Sequence, residues 1–118
     1  MDIQLKRGLT EVCLLALLAR GDSYGYRLAK DAGQLMPMSE STLYPVLRRL
    51  QEAGAVDTYS TEFGGRLRHY YRITDKGRAQ MSDFVREWEQ LGKIYELIVQ
   101  IEQDEKKGQQ REDGHHEA

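Results

Sequence analysis

Apolar residues recur along this chain in blocks of different period, and each block predicts an element. Thr10 to Ala19 is almost wholly apolar through Val12, Cys13, Leu14, Leu15, Ala16, Leu17 and Leu18. It is far too short to cross a bilayer and reads as a buried core helix. Gly21-Asp22-Ser23 breaks it. Tyr24 to Ala32 then forms a second short helix, with Tyr26, Leu28 and Ala29 available to the core and Arg27 and Lys30 turned outward. Gly33 and Pro37 bracket the next connection, where Met36 and Met38 fit as gap-fillers of the core. Ser39 to Gly54 carries helix punctuation at both ends: hydroxyl residues as N-caps and a glycine as the stop. Leu43, Val46, Leu47 and Leu50 share one face of the helix Ser41 to Ala53, so Ser41, Tyr44, Pro45 and Arg48 lie on the other. Pro45 removes a backbone hydrogen bond and predicts a late start or a kink.

The period changes to two after Gly54. Val56 to Thr61 is rich in β-branched and aromatic residues, Gly64-Gly65 supplies a backbone free to turn, and His69 to Ile73 returns extended. Strand alternation places His69, Tyr71 and Ile73 on one side and Arg68, Tyr70 and Arg72 on the other, so one row can pack inward while the other meets phosphate. The plainer alternative is a solvated hairpin with ordinary surface arginines. The order helix, helix, helix, hairpin, helix favours the first reading. It is that of a winged helix-turn-helix, mainly α with a β-hairpin wing, whose third helix enters the major groove while the wing lies along the backbone.

Tyr24-Gly25-Tyr26, the run Ser41-Thr42-Leu43-Tyr44-Pro45-Val46-Leu47-Arg48-Arg49-Leu50, and Gly64-Gly65-Arg66 with Tyr70-Tyr71-Arg72-Ile73-Thr74-Asp75-Lys76-Gly77 stand in one order and spacing. In these motifs the chain resembles the PadR-type transcriptional regulators of bacteria and archaea, from about Gly8 to the start of the last helix. The resemblance implies a dimeric repressor of an inverted-repeat operator on double-stranded DNA, released by a small molecule or another cue. Leu67 and His69 stand where such wings more often carry Arg or Lys. On this reading Ser41, Thr42, Tyr44 and Arg48 approach base edges or phosphates, Arg66, Arg68, His69 and Tyr70 hold the flanking backbone, and Tyr24 with Arg27 adds a contact from the second helix.

The last helix should begin after Thr74, with Asp75 at its positive end, and run to about Glu105. Its apolar positions Met81, Phe84, Trp88, Leu91, Tyr95 and Ile98 recur at alternating steps of three and four, the seam of a coiled coil, and Ile94, Leu97 and Ile101 widen the face. Such a face left bare would aggregate, which predicts a homodimer able to present two reading helices to successive half-sites. Trp88 has two readings. It packs the dimer interface, or with its symmetry mate it flanks a cavity and stacks on a flat aromatic effector. Short relatives with a tryptophan in a similar place resemble multidrug-type sensors. Gly92 either marks close approach of another helix or is a tolerated surface position. The organisation expected is therefore 1–74 as reading domain, 75–105 as dimerisation helix and 106–118 as a disordered polar tail.

Composition then sets bounds. At 118 residues the chain holds one modest core, and its net charge of -2 and pI of 5.9, taken as totals, disfavour a polyanion. The total hides an uneven distribution. Through Ser82 twelve Lys+Arg stand against nine Asp+Glu, and from Asp83 onward five stand against ten. Cys13 is the single cysteine, so no intramolecular disulfide can form, and its apolar surroundings suggest a packed thiol. Met1 to Arg7 has no signal-peptide cleavage pattern, which predicts a cytoplasmic protein with no membrane attachment. His115, His116, His69 and Cys13 show no chelating spacing, so no metal and no cofactor are expected. An enzyme is disfavoured: there is no glycine-rich phosphate cradle and no nucleophile elbow, and Ser39 and Ser41 look like caps. The rival reading is a winged-helix protein-docking module, which would bind without operator specificity.

Overall fold

The computed structural model describes residues 2–117, with side chains through residue 110. Its element order is α1 (Ile3–Arg20), β1 (Ser23–Tyr24), α2 (Gly25–Gly33), α3 (Glu40–Glu52), β2 (Val56–Phe63), β3 (Arg66–Ile73) and α4 (Asp75–Glu117). It divides into two units, residues 1–84 and residues 85–118, and α4 belongs partly to each.

In the first unit α1 begins two turns before the apolar run, because the Asp2 carboxylate caps it by accepting from the Gln4 and Leu5 amides at 2.8 and 3.2 Å. Its burial begins at Thr10 and runs through Leu14, Leu15 and Leu18. These meet Leu28, Ala29 and Ala32 of α2 and Leu43, Val46, Leu47 and Leu50 of α3 in one cluster, closed from the sheet side by Val56 and Ile73. Each fully buried leucine contributes roughly 2 kcal/mol by its removal from water, and the faces read from the sequence for α3 are the faces that pack. Tyr26 is a correction: it is 65% exposed, because Leu28, Ala29 and Ala32 already fill the inner stripe of this nine-residue helix.

Helix α3 starts at Glu40 behind the cap Ser39, whose hydroxyl accepts from the Thr42 amide. There is no late start. Pro45 lies inside the helix and forfeits its one bond there. The exit is a Schellman turn: Ala55 N–H donates to Leu50 O at 2.8 Å, Gly54 N–H to Gln51 O at 3.0 Å, and Gly54 has φ +77°. The hairpin follows, with Phe63 opposite Arg66 across Gly64-Gly65, both at positive φ as the two-residue turn demands. The strand β1 was not anticipated. It pairs Ser23 with Tyr71 and Tyr24 with Tyr70, giving an antiparallel sheet in the order β1-β3-β2.

Thr74 joins these pieces. Its N–H donates to Ala55 O at 3.0 Å, and its hydroxyl donates to Gly54 O at 2.6 Å while accepting from the Gly77 amide at 3.1 Å. One side chain therefore caps α4 and fastens it to the exit of α3. Gly77 permits the approach, since a Cβ there would collide with Ala55 O and the Ile73 side chain.

Helix α4 continues to Glu117, past Glu105, the expected end of the helix. Between Gln100 and Lys107 it has i,i+4 support, as in Lys106–Glu102 at 2.7 Å and Gln100–Asp104 at 3.2 Å. The side chains of His115 and His116 lie outside the described residues. Among the described residues no helix is long and apolar enough to cross a membrane, and no group of three or more His, Cys, Asp or Glu is placed to hold a metal ion.

Gly77→Ala is expected to destabilise the fold by about 1–3 kcal/mol through overpacking, and Thr74→Val by about 1–2 kcal/mol through loss of the cap. Urea unfolding followed by far-UV circular dichroism reads both, and two unchanged midpoints would contradict the junction described.

Candidate nucleic-acid interface

The outward side of α3 carries a row at helical spacing, Glu40, Tyr44 and Arg48, all exposed. The Tyr44 hydroxyl donates to Glu40 Oε2 at 3.3 Å. Partial burial raises the Tyr44 phenol above its usual range, and the neighbouring Glu40 carboxylate adds to this by charge and by hydrogen bond. Its ring packs against the start of α2 where Gly25 has no side chain; a Cβ at that position would overlap the phenol. The Tyr-Gly-Tyr motif thus has a steric purpose. Ser41 and Thr42 behave differently from Arg48. Both hydroxyls lie within hydrogen-bond distance of Ser39 Oγ, at 2.9 and 3.1 Å, so they are part of the cap. Arg49, on the other flank, is tied to Glu11 of α1 at 3.4 Å.

The wing has two dissimilar faces. Asp57, Tyr59, Thr61 and Phe63 of β2 share a side with Arg66, Arg68, Tyr70 and Arg72 of β3 and with Tyr24 of β1. On it Tyr59 and Tyr70 stack at 5.4 Å, and Tyr24 meets Tyr70 edge-on at 5.6 Å. The Arg68 guanidinium lies between two rings, 4.1 Å from Tyr24 and 4.0 Å from Phe63. Arg72 covers Tyr59 at 5.4 Å and faces Asp57 at 4.0 Å. The Tyr59 hydroxyl donates to Asp22 Oδ2 at 2.7 Å, which raises the phenol above its usual range and ties the wing to the turn after α1. Arg27 also points this way, donating to Ser23 Oγ at 2.9 Å and to the Asp22 carbonyl at 2.6 Å.

The other face continues outward from the core through Tyr71, His69 and Leu67. Together with Tyr24, Tyr26, Glu40 and Tyr44 it walls a cleft of about 310 Å³ between wing and α3. His69 therefore stands apart from Arg66 and Tyr70, on the opposite side of the strand, with its Nδ1 2.8 Å from Ser60 Oγ. Arg68 reaches the cleft from the edge.

Of the positions singled out from the sequence, Tyr24, Tyr44, Arg68 and His69 converge on this cleft, and Arg48 lies one turn beyond Tyr44. Arg27 and Tyr70 belong to the outer aromatic layer. Arg66 and Arg48 are exposed, and among the described residues neither has an ion pair or ring contact. Sequence reasoning passed over Glu40, Tyr26, Tyr71, Tyr59 and Asp22. Glu40 had a local signal, its place four residues before Tyr44. The contact between Tyr59 and Asp22 had none, because it depends on strand register.

On α4, Met81 and Phe84 are half-buried in the first unit, whereas Trp88, Leu91, Tyr95 and Ile98 of the second are 40–68% exposed, as are Ile94, Leu97 and Ile101. The seam is thus continuous in sequence and divided in burial. Within the chain a Cβ at Gly92 would meet nothing within 4 Å.

Residues 14–83 match the model of the transcriptional regulator PadR-like family. An uncharacterised protein of Lysinibacillus sphaericus is 31% identical over 99 residues, covering 80% of this chain and 91% of that one. The crystal structure of a PadR family transcriptional regulator from Eggerthella lenta is similar with a TM-score of 0.71 and 32% identity, over 82% of this chain and 87% of that one. Bacillus subtilis PadR, a negative transcriptional regulator, is 29% identical over 77 residues, 61% of this chain and 42% of its own length. Its crystal structure with operator DNA is similar with a TM-score of 0.60 and 26% identity, over 65% of this chain and 46% of that one. The chain spans less than half of that protein. By the match over residues 14–83 and by its fold, the chain belongs to the PadR-like family of transcriptional regulators.

Proposed function

We propose that this regulator binds an inverted-repeat operator as a homodimer, represses transcription from it, and is released by a small, flat aromatic effector near Trp88. Family membership already makes it a transcriptional regulator rather than an enzyme. The observation that carries the DNA-binding reading is the exposed row Glu40, Tyr44 and Arg48 on a helix flanked by an arginine-bearing wing, in a fold shared with B. subtilis PadR, whose structure contains operator DNA. Helix α3 is narrow enough to enter a major groove, and Arg48 offers the bidentate donor that guanine accepts. Arg66 beyond the turn is placed to meet backbone phosphate.

The apolar row from Trp88 to Ile101 supports dimerisation, since an exposed stripe of this length on one helix is a surface that a second copy can cover. Two tied reading helices gain avidity that one lacks. An effector releases DNA only if it favours one arrangement of the dimer over the other, and Trp88, aromatic and 40% exposed, is the side chain on which a planar ligand would stack.

Three experiments test this reading. In fluorescence-polarisation titrations against the fragment upstream of its own gene, Arg48→Ala should weaken binding by about 1–3 kcal/mol. Arg66→Ala should reduce the slope of log affinity against log salt by about one. Equal binding to a scrambled duplex would oppose the operator reading. Leu91→Asp with Ile98→Asp should yield a monomer in sedimentation velocity, with operator affinity lost; a dimer that persists places the interface elsewhere. Planar aromatic cations should quench Trp88 fluorescence saturably, and no change at saturation would remove Trp88 from effector binding.

A further inference from the structure

The first helical residue of α3 is a carboxylate on the surface proposed to meet a polyanion. Glu40 follows the cap Ser39 and is exposed, and its Oε2 accepts from the Tyr44 hydroxyl at 3.3 Å. Tyr44 is itself seated against α2 in the space that Gly25 leaves open. The carboxylate is therefore oriented by a phenol that a second helix holds. An acid at this position also favours the helix dipole. Any acid in the first turn would do that without a tethered partner. Toward phosphate Glu40 is repulsive. Toward a base edge it is selective: a carboxylate accepts from the cytosine exocyclic amine in the major groove, and the N-terminal residues of a reading helix are the ones that reach base edges. Fixing the side chain before binding reduces the entropy lost on contact.

We infer that Glu40 is a specificity-determining residue that accepts a hydrogen bond from a cytosine amine in each half-site and disfavours docking where that amine is absent. This rests on the DNA-binding reading above. The two effects act together, because an unpaired carboxylate pressed against an acceptor or a phosphate penalises the wrong sequence while the paired one stabilises the right one. Arg48, two turns along the same row, would supply the complementary donor.

Selection from a randomised duplex library, run in parallel on the full-length wild type, Glu40→Ala and Glu40→Gln, tests this. The wild type should recover a symmetric motif with a cytosine column, and changing that pair to T·A should lower its affinity about 5- to 150-fold. Glu40→Ala should flatten the column, with the two sequences bound nearly equally. Glu40→Gln should move its preference toward adenine, which a carboxamide reads through N6 and N7. Motifs identical in all three proteins would overturn the inference while leaving operator binding intact. A wild type that recovers no motif would overturn operator binding, and this inference with it.

Discussion

The structure depends on one backbone junction. Ala55, buried just past the end of α3, receives the Thr74 amide on its carbonyl and has Gly77 pressed against it, while the Thr74 hydroxyl bonds Gly54 O and caps α4. These few atoms fix where α3 ends, where both strands of the wing are rooted, and where α4 begins. A hairpin of two strands is marginally stable by itself. Here its base is clamped on one side by the Schellman exit and on the other by the α4 cap, so the strands leave the core with one register and one direction. The requirement for Gly77 is thus one of space, whereas Gly54 is required by its positive φ.

Beyond the base the wing is stiffened by its own side chains. Tyr24, Tyr70 and Tyr59 form a layer across all three strands, Arg68 is clamped between Tyr24 and Phe63, and Tyr59 is tethered to Asp22. Each exposed cation–π contact contributes roughly 0.5–1 kcal/mol, too little to fold a domain yet enough to bias a hairpin among its conformers. Part of the positive charge of the wing is in this way committed to holding it straight. Arg66, past the turn, and Arg48, on α3, have no such ring contact or ion pair among the described residues. The net charge of -2 is unevenly spread: the acidic surplus lies after Asp83, along α4, whereas Arg66 and Arg48 lie at the wing tip and on α3.

The elements were legible in the residues because their causes are short-range. The apolar face Leu43, Val46, Leu47 and Leu50 of α3, the stop at Gly54, the two-glycine turn and the α4 start at Thr74 each follow from periodicity or from the φ that a turn requires, and each stands where the sequence puts it. The errors were equally physical. Tyr26 was assigned to the core because it is apolar enough to be there, and only the packed helix shows that Leu28 and Ala32 leave it no room. A late start of α3 is the expectation from Pro45, yet Ser39 caps the helix ahead of it and the proline forfeits only one bond.

Sequence alone set the order of the helices and the hairpin, the buried face of α3, the turn and the family to which the motifs belong, since all of these are written in neighbours a few positions apart. Tertiary structure decided what each arginine touches. Strand register placed Arg68 between two rings and His69 on the opposite face, and β1 pairing brought Tyr24 beside Tyr70. The seat of Tyr44 against Gly25, and with it the orientation of Glu40, likewise arises only when α2 and α3 pack. Such assignments join residues far apart in the chain, and no local period or propensity encodes a distance that closes only on folding.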